Sequence, residues 1–134
     1  MTDTQKFVRY GFGEDFGLKT RSLNFTTEAM KAEEAIEVVK LIKSYNDFEG
    51  EKVAEAIKQI ANLWKSEHQQ VTFEFGREGS PVLYVSFPYW LKQDKKLNET
   101  ERNYRIDLSK AILQGTKPDE LDRSIRADIR AWWD

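Results

Sequence analysis

The sequence predicts an α+β fold: a mostly antiparallel sheet of four or five strands, packed with a helical hairpin and a C-terminal amphipathic helix. Three patterns carry that expectation. Apolar residues recur at helical spacing between Ala32 and Ile42 and again between Val53 and Trp64. They alternate with polar residues through 71–75 and 82–89, as in strands with one buried side. Near the end, Leu121, Ile125, Ile129 and Trp132 form a stripe of helical period behind Pro118.

Composition narrows the class. Of 134 residues, 40% are apolar and 33% charged, spread evenly enough that one globular domain over 1–134 is expected, with no linker, repeat or low-complexity tract. Lys and Arg number 21 against 23 Asp and Glu, a net charge of −2, so the whole molecule does not attract a polyanion. The chain has no cysteine, which excludes disulfides, thiolate metal sites and Cys nucleophiles. No apolar run is long enough to cross a bilayer and the start is polar, so a cytoplasmic protein is expected, with no membrane partner.

The elements follow in order. Residues 6–12 and 16–25 are rich in aromatic and β-preferring types around Gly11, Gly13 and Gly17, and read as a hairpin. The apolar parity changes from Phe16 and Leu18 to Leu23 and Phe25, which calls for a bulge near 20–22. Thr26 or Thr27 caps the first helix, whose inward residues are Ala32, Ala35, Ile36, Val39 and Ile42. Asn46 and Glu49 have capping-box spacing for the second. The strands at 71–75 and 82–89 flank a turn at 76–80, and Tyr104, Ile106 and Leu108 alternate as a third strand, although Tyr104, Leu108 and Ala111 also satisfy helical spacing. Residues 91–100 read as a solvated loop. Thr116, Pro118, Asp119 and Glu120 carry the start signals of the C-terminal helix.

Chemical motifs are weak. The glycines at 11, 13 and 17 miss phosphate-loop spacing and sit beside Glu14 and Asp15, so they punctuate a turn. Glu33, Glu34 and Glu37 fall within about one helical turn but lie among lysines, the pattern of a solvated face. His68 has no partner serine in a nucleophile turn and reads as a helix-end residue. No catalytic residue, metal ligand or cofactor is assigned.

Two groups stand out. Tyr84, Trp90, Lys92, Lys95, Lys96, Arg102 and Arg105 combine aromatic faces with local positive charge, as a single-stranded nucleic-acid site or a partner-binding surface would. Trp133 either seals a partner or homodimer interface or caps its own core. The function expected from this pattern is a non-catalytic protein–protein interaction or regulatory module with a protein partner. A nucleic-acid-binding domain, disfavoured by the net charge, and a small-ligand-binding protein or enzyme with a carboxylate-based site are the alternatives.

Overall fold

The computed structural model describes the backbone of all residues but 16–17, 23, 65–69 and 89–94, and the side chains of all but 14–23, 65–69 and 89–98. The chain opens with a helix, not a strand. Thr2 Oγ1 accepts the Gln5 N–H at 3.1 Å while the Gln5 side chain accepts the Thr2 N–H at 2.9 Å, a reciprocal cap that starts α1 (Asp3–Gly11). The strand expected over 6–12 is thereby corrected, and Val8 and Gly11 turn inward at helical spacing. The hairpin exists one segment later, as β1 (Phe12–Asp15) and β2 (Leu18–Ser22). Phe12 pairs with Ser22 and Glu14 with Lys19, so Gly13, at φ 88°, stands opposite two residues: the bulge that the parity change demanded.

Thr27 is not a helix cap. Its Oγ1 accepts the Phe75 N–H at 3.0 Å, which holds the chain extended through β3 (Phe25–Thr26) and on to a bridge at Met30. The helical pair is therefore shorter than expected: α2 (Ala32–Val39), then a small hairpin of β4 (Ser44–Tyr45) and β5 (Phe48–Glu49), then α3 (Gly50–Asn62). Asn46 does not cap α3 either. It takes the left-handed φ of 52° in the β4–β5 turn, a conformation asparagine tolerates better than most residues. Glu49 is the N-cap, without a side-chain cap bond. Gly50 must be glycine, because a Cβ there would lie 2.2 Å from the Ile42 carbonyl oxygen and 2.4 Å from that of Val39.

The hairpin of β6 (Thr72–Glu78) and β7 (Ser80–Ser86) has the expected alternation, and it turns at Gly79, where φ is 73°. The third strand expected at 104–108 is instead part of α4 (Lys95–Gln114). Arg102, Ile106, Ser109 and Leu113 turn inward at helical spacing while Tyr104 and Asp107 face solvent, so the two-residue rhythm of Tyr104, Ile106 and Leu108 is incidental.

The C-terminal amphipathic helix is also corrected. Residues 120–132 form β8 (Glu120–Asp122) and β9 (Ile129–Trp132), paired antiparallel. Thr116 serves the end of α4, its Oγ1 donating to the Leu113 carbonyl at 2.6 Å. A helix would have kept Ile125 in its stripe, yet Ile125 is fully exposed. What wins is pairing: Ile129, Ala131 and Trp133 alternate inward while β9 docks on β7.

The main sheet has the order β3-β6-β7-β9-β8, all neighbours antiparallel, which bears out an α+β fold with a five-stranded antiparallel sheet. One face of it, with Phe73, Phe75, Leu83, Val85, Ile129, Ala131 and Trp133, shares a continuous core with the buried residues of all four helices. Trp133 is wholly buried, edge-on to Phe48 at 5.2 Å, and its Nε1 donates to the Thr116 carbonyl at 3.0 Å. Among the described residues no helix is long and apolar enough to cross a membrane.

Replacing Trp133 with Ala should remove the centre of this core and cost about 3–5 kcal/mol, read as a lower urea midpoint. Trp133→Phe should recover most of the packing but leave the Thr116 carbonyl without its indole donor. An alanine variant as stable as the parent would contradict the burial of this side chain.

Candidate interaction face of the sheet

The alternation that sends Phe73, Phe75, Leu83, Val85, Ile129 and Ala131 into the core sends Glu74, Tyr84, Arg130 and Trp132 to the other side. Val82 and Tyr84 are buried yet stand apart from the core cluster. The cover of Tyr84 comes from this face itself. Arg126, in the β8–β9 connection, reaches back over the Tyr84 ring, with its guanidinium carbon 4.9 Å from the ring centre. The same guanidinium donates to Glu74 Oε1 at 2.5 Å and to Thr26 Oγ1 at 2.7 Å, fastening the connection to β6 and to the edge strand β3.

A second group is linked to the first through Tyr84. The Tyr84 hydroxyl donates to Glu78 Oε1, and Arg130 donates to Glu78 Oε2 at 3.1 Å and to Glu120 Oε1 at 2.7 Å. Trp132 Nε1 donates to the Glu78 carbonyl at 2.9 Å. Carboxylates from β6 and β8 thus hold two arginines and a tyrosine in fixed positions, and the Glu78 carbonyl holds the Trp132 indole. Such ion pairs are half hydrated and add little stability, but a network that shares partners fixes geometry.

Titration reflects the network. Burial pushes the Glu78 carboxyl up, but hydrogen bonds from Tyr84 and Arg130 and the charges of Arg130 and Arg126 outweigh it, so the carboxyl lies below its ordinary 4.5. Burial and the neighbouring Glu78 together push the Tyr84 phenol above its ordinary 10.0. A lowered carboxyl gives stability that is present above the unfolded value and lost as pH falls through the folded one; a raised phenol makes stability decline above the unfolded value of 10.0.

The residues singled out from the sequence do not come together. Tyr84 lies on this outer face, whereas Arg102 and Arg105 are on α4, whose buried side shares the core of the opposite face. Arg102 is a latch: its Nη2 lies 2.7 Å from both Asp128 carboxylate oxygens and 3.1 Å from the Phe87 carbonyl, while its Nε donates to the Pro88 carbonyl at 3.3 Å. Asp128 in turn accepts the Phe87 N–H at 2.7 Å. Arg105 packs its guanidinium 4.8 Å from the Trp64 ring centre and pairs with Glu101 at 3.4 Å. Trp90 and Lys92 lie outside the described residues, as does His68; Lys95 and Lys96 belong to α4 by backbone, with side chains outside the described set. Trp133 is a core residue, so of its two expected roles the structure has the cap of its own core and not the exposed interface. Glu33, Glu34 and Glu37 are exposed, and among the described residues no group of three or more His, Cys, Asp or Glu is arranged to hold a metal.

A helical reading of 118–132 scatters Arg126, Arg130, Glu120 and Trp132 around a cylinder, and a turn at 76–80 takes Glu78 out of the strand that carries it. The signal that finds them is the alternation of Ile129, Ala131 and Trp133 with Arg130 and Trp132.

Two substitutions test this geometry. Tyr84→Phe removes a donor to Glu78, so the Glu78 carboxyl, followed by carbon-detected NMR, should titrate closer to 4.5 than in the parent; an unchanged or lower value would contradict the Tyr84–Glu78 bond. Arg102→Ala leaves Asp128 largely buried without its cation and should cost about 2–4 kcal/mol in chemical unfolding, below the figure for a fully buried pair because both groups keep some water. A cost under about 0.5 kcal/mol would place the latch among ordinary surface pairs.

Comparison with protein-family models, with curated proteins and with solved structures found no match to this chain.

Proposed function

We propose that this chain is a non-catalytic protein-interaction module that presents the outer face of its sheet to a basic protein surface. The observation that carries the reading is the set of Arg126, Arg130 and Trp132, ordered around the buried Tyr84, on a sheet face opposite to the one that the helices bury. Tyr, Trp and Arg are the residue types that contribute most at the centres of interfaces, and here their rotamers are fixed before any partner arrives. Ile125, fully exposed in the connection that carries Arg126, adds an apolar contact at the rim.

Charge points to the sign of the partner. Glu74, Glu78, Glu120 and Asp122 outnumber Arg126 and Arg130 on this face, and both arginines are already paired with carboxylates. A phosphate backbone would meet net repulsion, which weighs against the single-stranded nucleic-acid alternative. Pairing of two copies through the edge strand β8 is likewise opposed, because antiparallel alignment about Leu121 sets Glu120 against Asp122.

A photoreactive residue at Ser86, on this face, should form a discrete protein adduct in an extract of the source cells, and one at Glu55, on the exposed side of α3, should not. The Ser86 adduct should fall at least about fivefold when Ile125→Asp and Trp132→Ala are combined, provided the variant unfolds at a parental denaturant midpoint. Equal labelling from both positions, or quenching of tryptophan fluorescence by a short single strand that is reversed by salt, would overturn the reading.

A further inference from the structure

A second feature of the surface has a different chemistry. A groove of about 350 Å³ runs between α1 and the segment joining β3 to α2, lined by Phe7 and Met30 at its apolar part and by Asp3, Glu28 and Glu34 among its polar groups. Phe7 is nearly half exposed despite its edge-on contact with Phe25 at 5.1 Å, so a ring face is left for an incoming group. Met30 is held at the base by backbone hydrogen bonds with Phe73, 2.7 Å and 2.9 Å long.

The three carboxylates differ from those of the sheet. Glu74, Glu78 and Glu120 are each matched by an arginine, whereas Asp3, Glu28 and Glu34 are in no ion pair among the described residues, and no lysine or arginine is among the lining residues. The smaller cleft of about 190 Å³ near Asn46 and Lys117 offers no such imbalance, because its Glu49 and Lys52 pair at 2.7 Å. An apolar floor beneath unmatched negative charge is complementary to one kind of side chain: a long aliphatic stem ending in a cation.

We propose that this groove is the docking slot for a lysine or arginine side chain presented by a protein partner, its stem lying on Phe7 and Met30 and its charge among Asp3, Glu28 and Glu34. The slot adjoins the sheet face through Thr26, which lines the groove and accepts from Arg126. One basic surface can therefore cover the outer face and insert a side chain here. The inference rests on the interaction-module reading but concerns different residues, so the two can fail separately.

The test is an NMR titration of the full chain with three capped pentapeptides that differ only at the central residue: lysine, norleucine or glutamate. The lysine peptide should shift the Met30 methyl and Phe7 ring signals, saturably, with norleucine and glutamate at least about tenfold weaker. The isosteric double variant Glu28→Gln/Glu34→Gln should weaken the lysine peptide at least about fivefold while keeping the parental amide spectrum elsewhere. Equal binding of lysine and norleucine, shifts spread over the exposed glutamates of α2 and α3 instead of the groove, or an unaffected double variant would each overturn the slot. Failure here with intact labelling from Ser86 would leave the sheet face standing; the reverse result would leave the slot standing without it.

Discussion

The architecture depends on where β9 goes. Inserted between β7 and β8, it turns Ile129, Ala131 and Trp133 toward the helices and Arg130 and Trp132 away from them. Burial of Trp133 in the core, with its indole nitrogen bonded to the Thr116 carbonyl, ties the end of the chain to the end of α4. The register that buries Ile129, Ala131 and Trp133 also brings Arg130 to Glu78 and Glu120, and leaves the β8–β9 connection long enough for Arg126 to fold back over Tyr84. A one-residue slip would send both arginine and tryptophan to the wrong side.

Electrostatics then divides the surface into two kinds of acid. Glu74, Glu78 and Glu120 on the sheet act as fixtures, holding arginines and the Tyr84 hydroxyl in place, and their charge is largely spent inside the molecule. Those around the α1 groove are matched by no cation among the described residues. An acidic chain whose paired and unpaired carboxylates lie on adjoining surfaces is arranged to meet a basic partner, with order supplied by the first set and attraction by the second.

Much of the sheet was legible from local pattern. The hairpin of β6 and β7 shows itself because both strands alternate cleanly and are adjacent in sequence, and the α2–α3 pair because its apolar stripe keeps helical period over each element. The bulge opposite Gly13 was legible from the change of parity between Leu18 and Leu23. Elsewhere the local signals were true but satisfied by other means. Thr27 offers its hydroxyl to Phe75 of a distant strand instead of to its own helix, and Asn46 uses its tolerance of positive φ in a turn instead of a cap. At 118–132, Pro118, Asp119 and a stripe of four apolar residues imitate a helix; β9 is a strand because it completes a sheet with β7, a partner more than forty residues upstream that no local window contains. The candidate face inherits that failure: Tyr84 stands out in the sequence, whereas Arg126, Arg130, Trp132 and Glu120 sit on β9, β8 and their connection, and Glu74 and Glu78 on β6 gain their roles only from those arginines.

The most direct test of this account is the NMR pattern of residues 118–132. It predicts cross-strand contacts between the Hα and amide protons of Tyr84 and Arg130 and of Asp122 and Arg130, with slow amide exchange at the hydrogen-bonded positions of β9. Sequential amide contacts and Hα-to-amide contacts three residues apart through the same segment would mean a helix, and would remove the two-faced sheet together with the surface assigned to it.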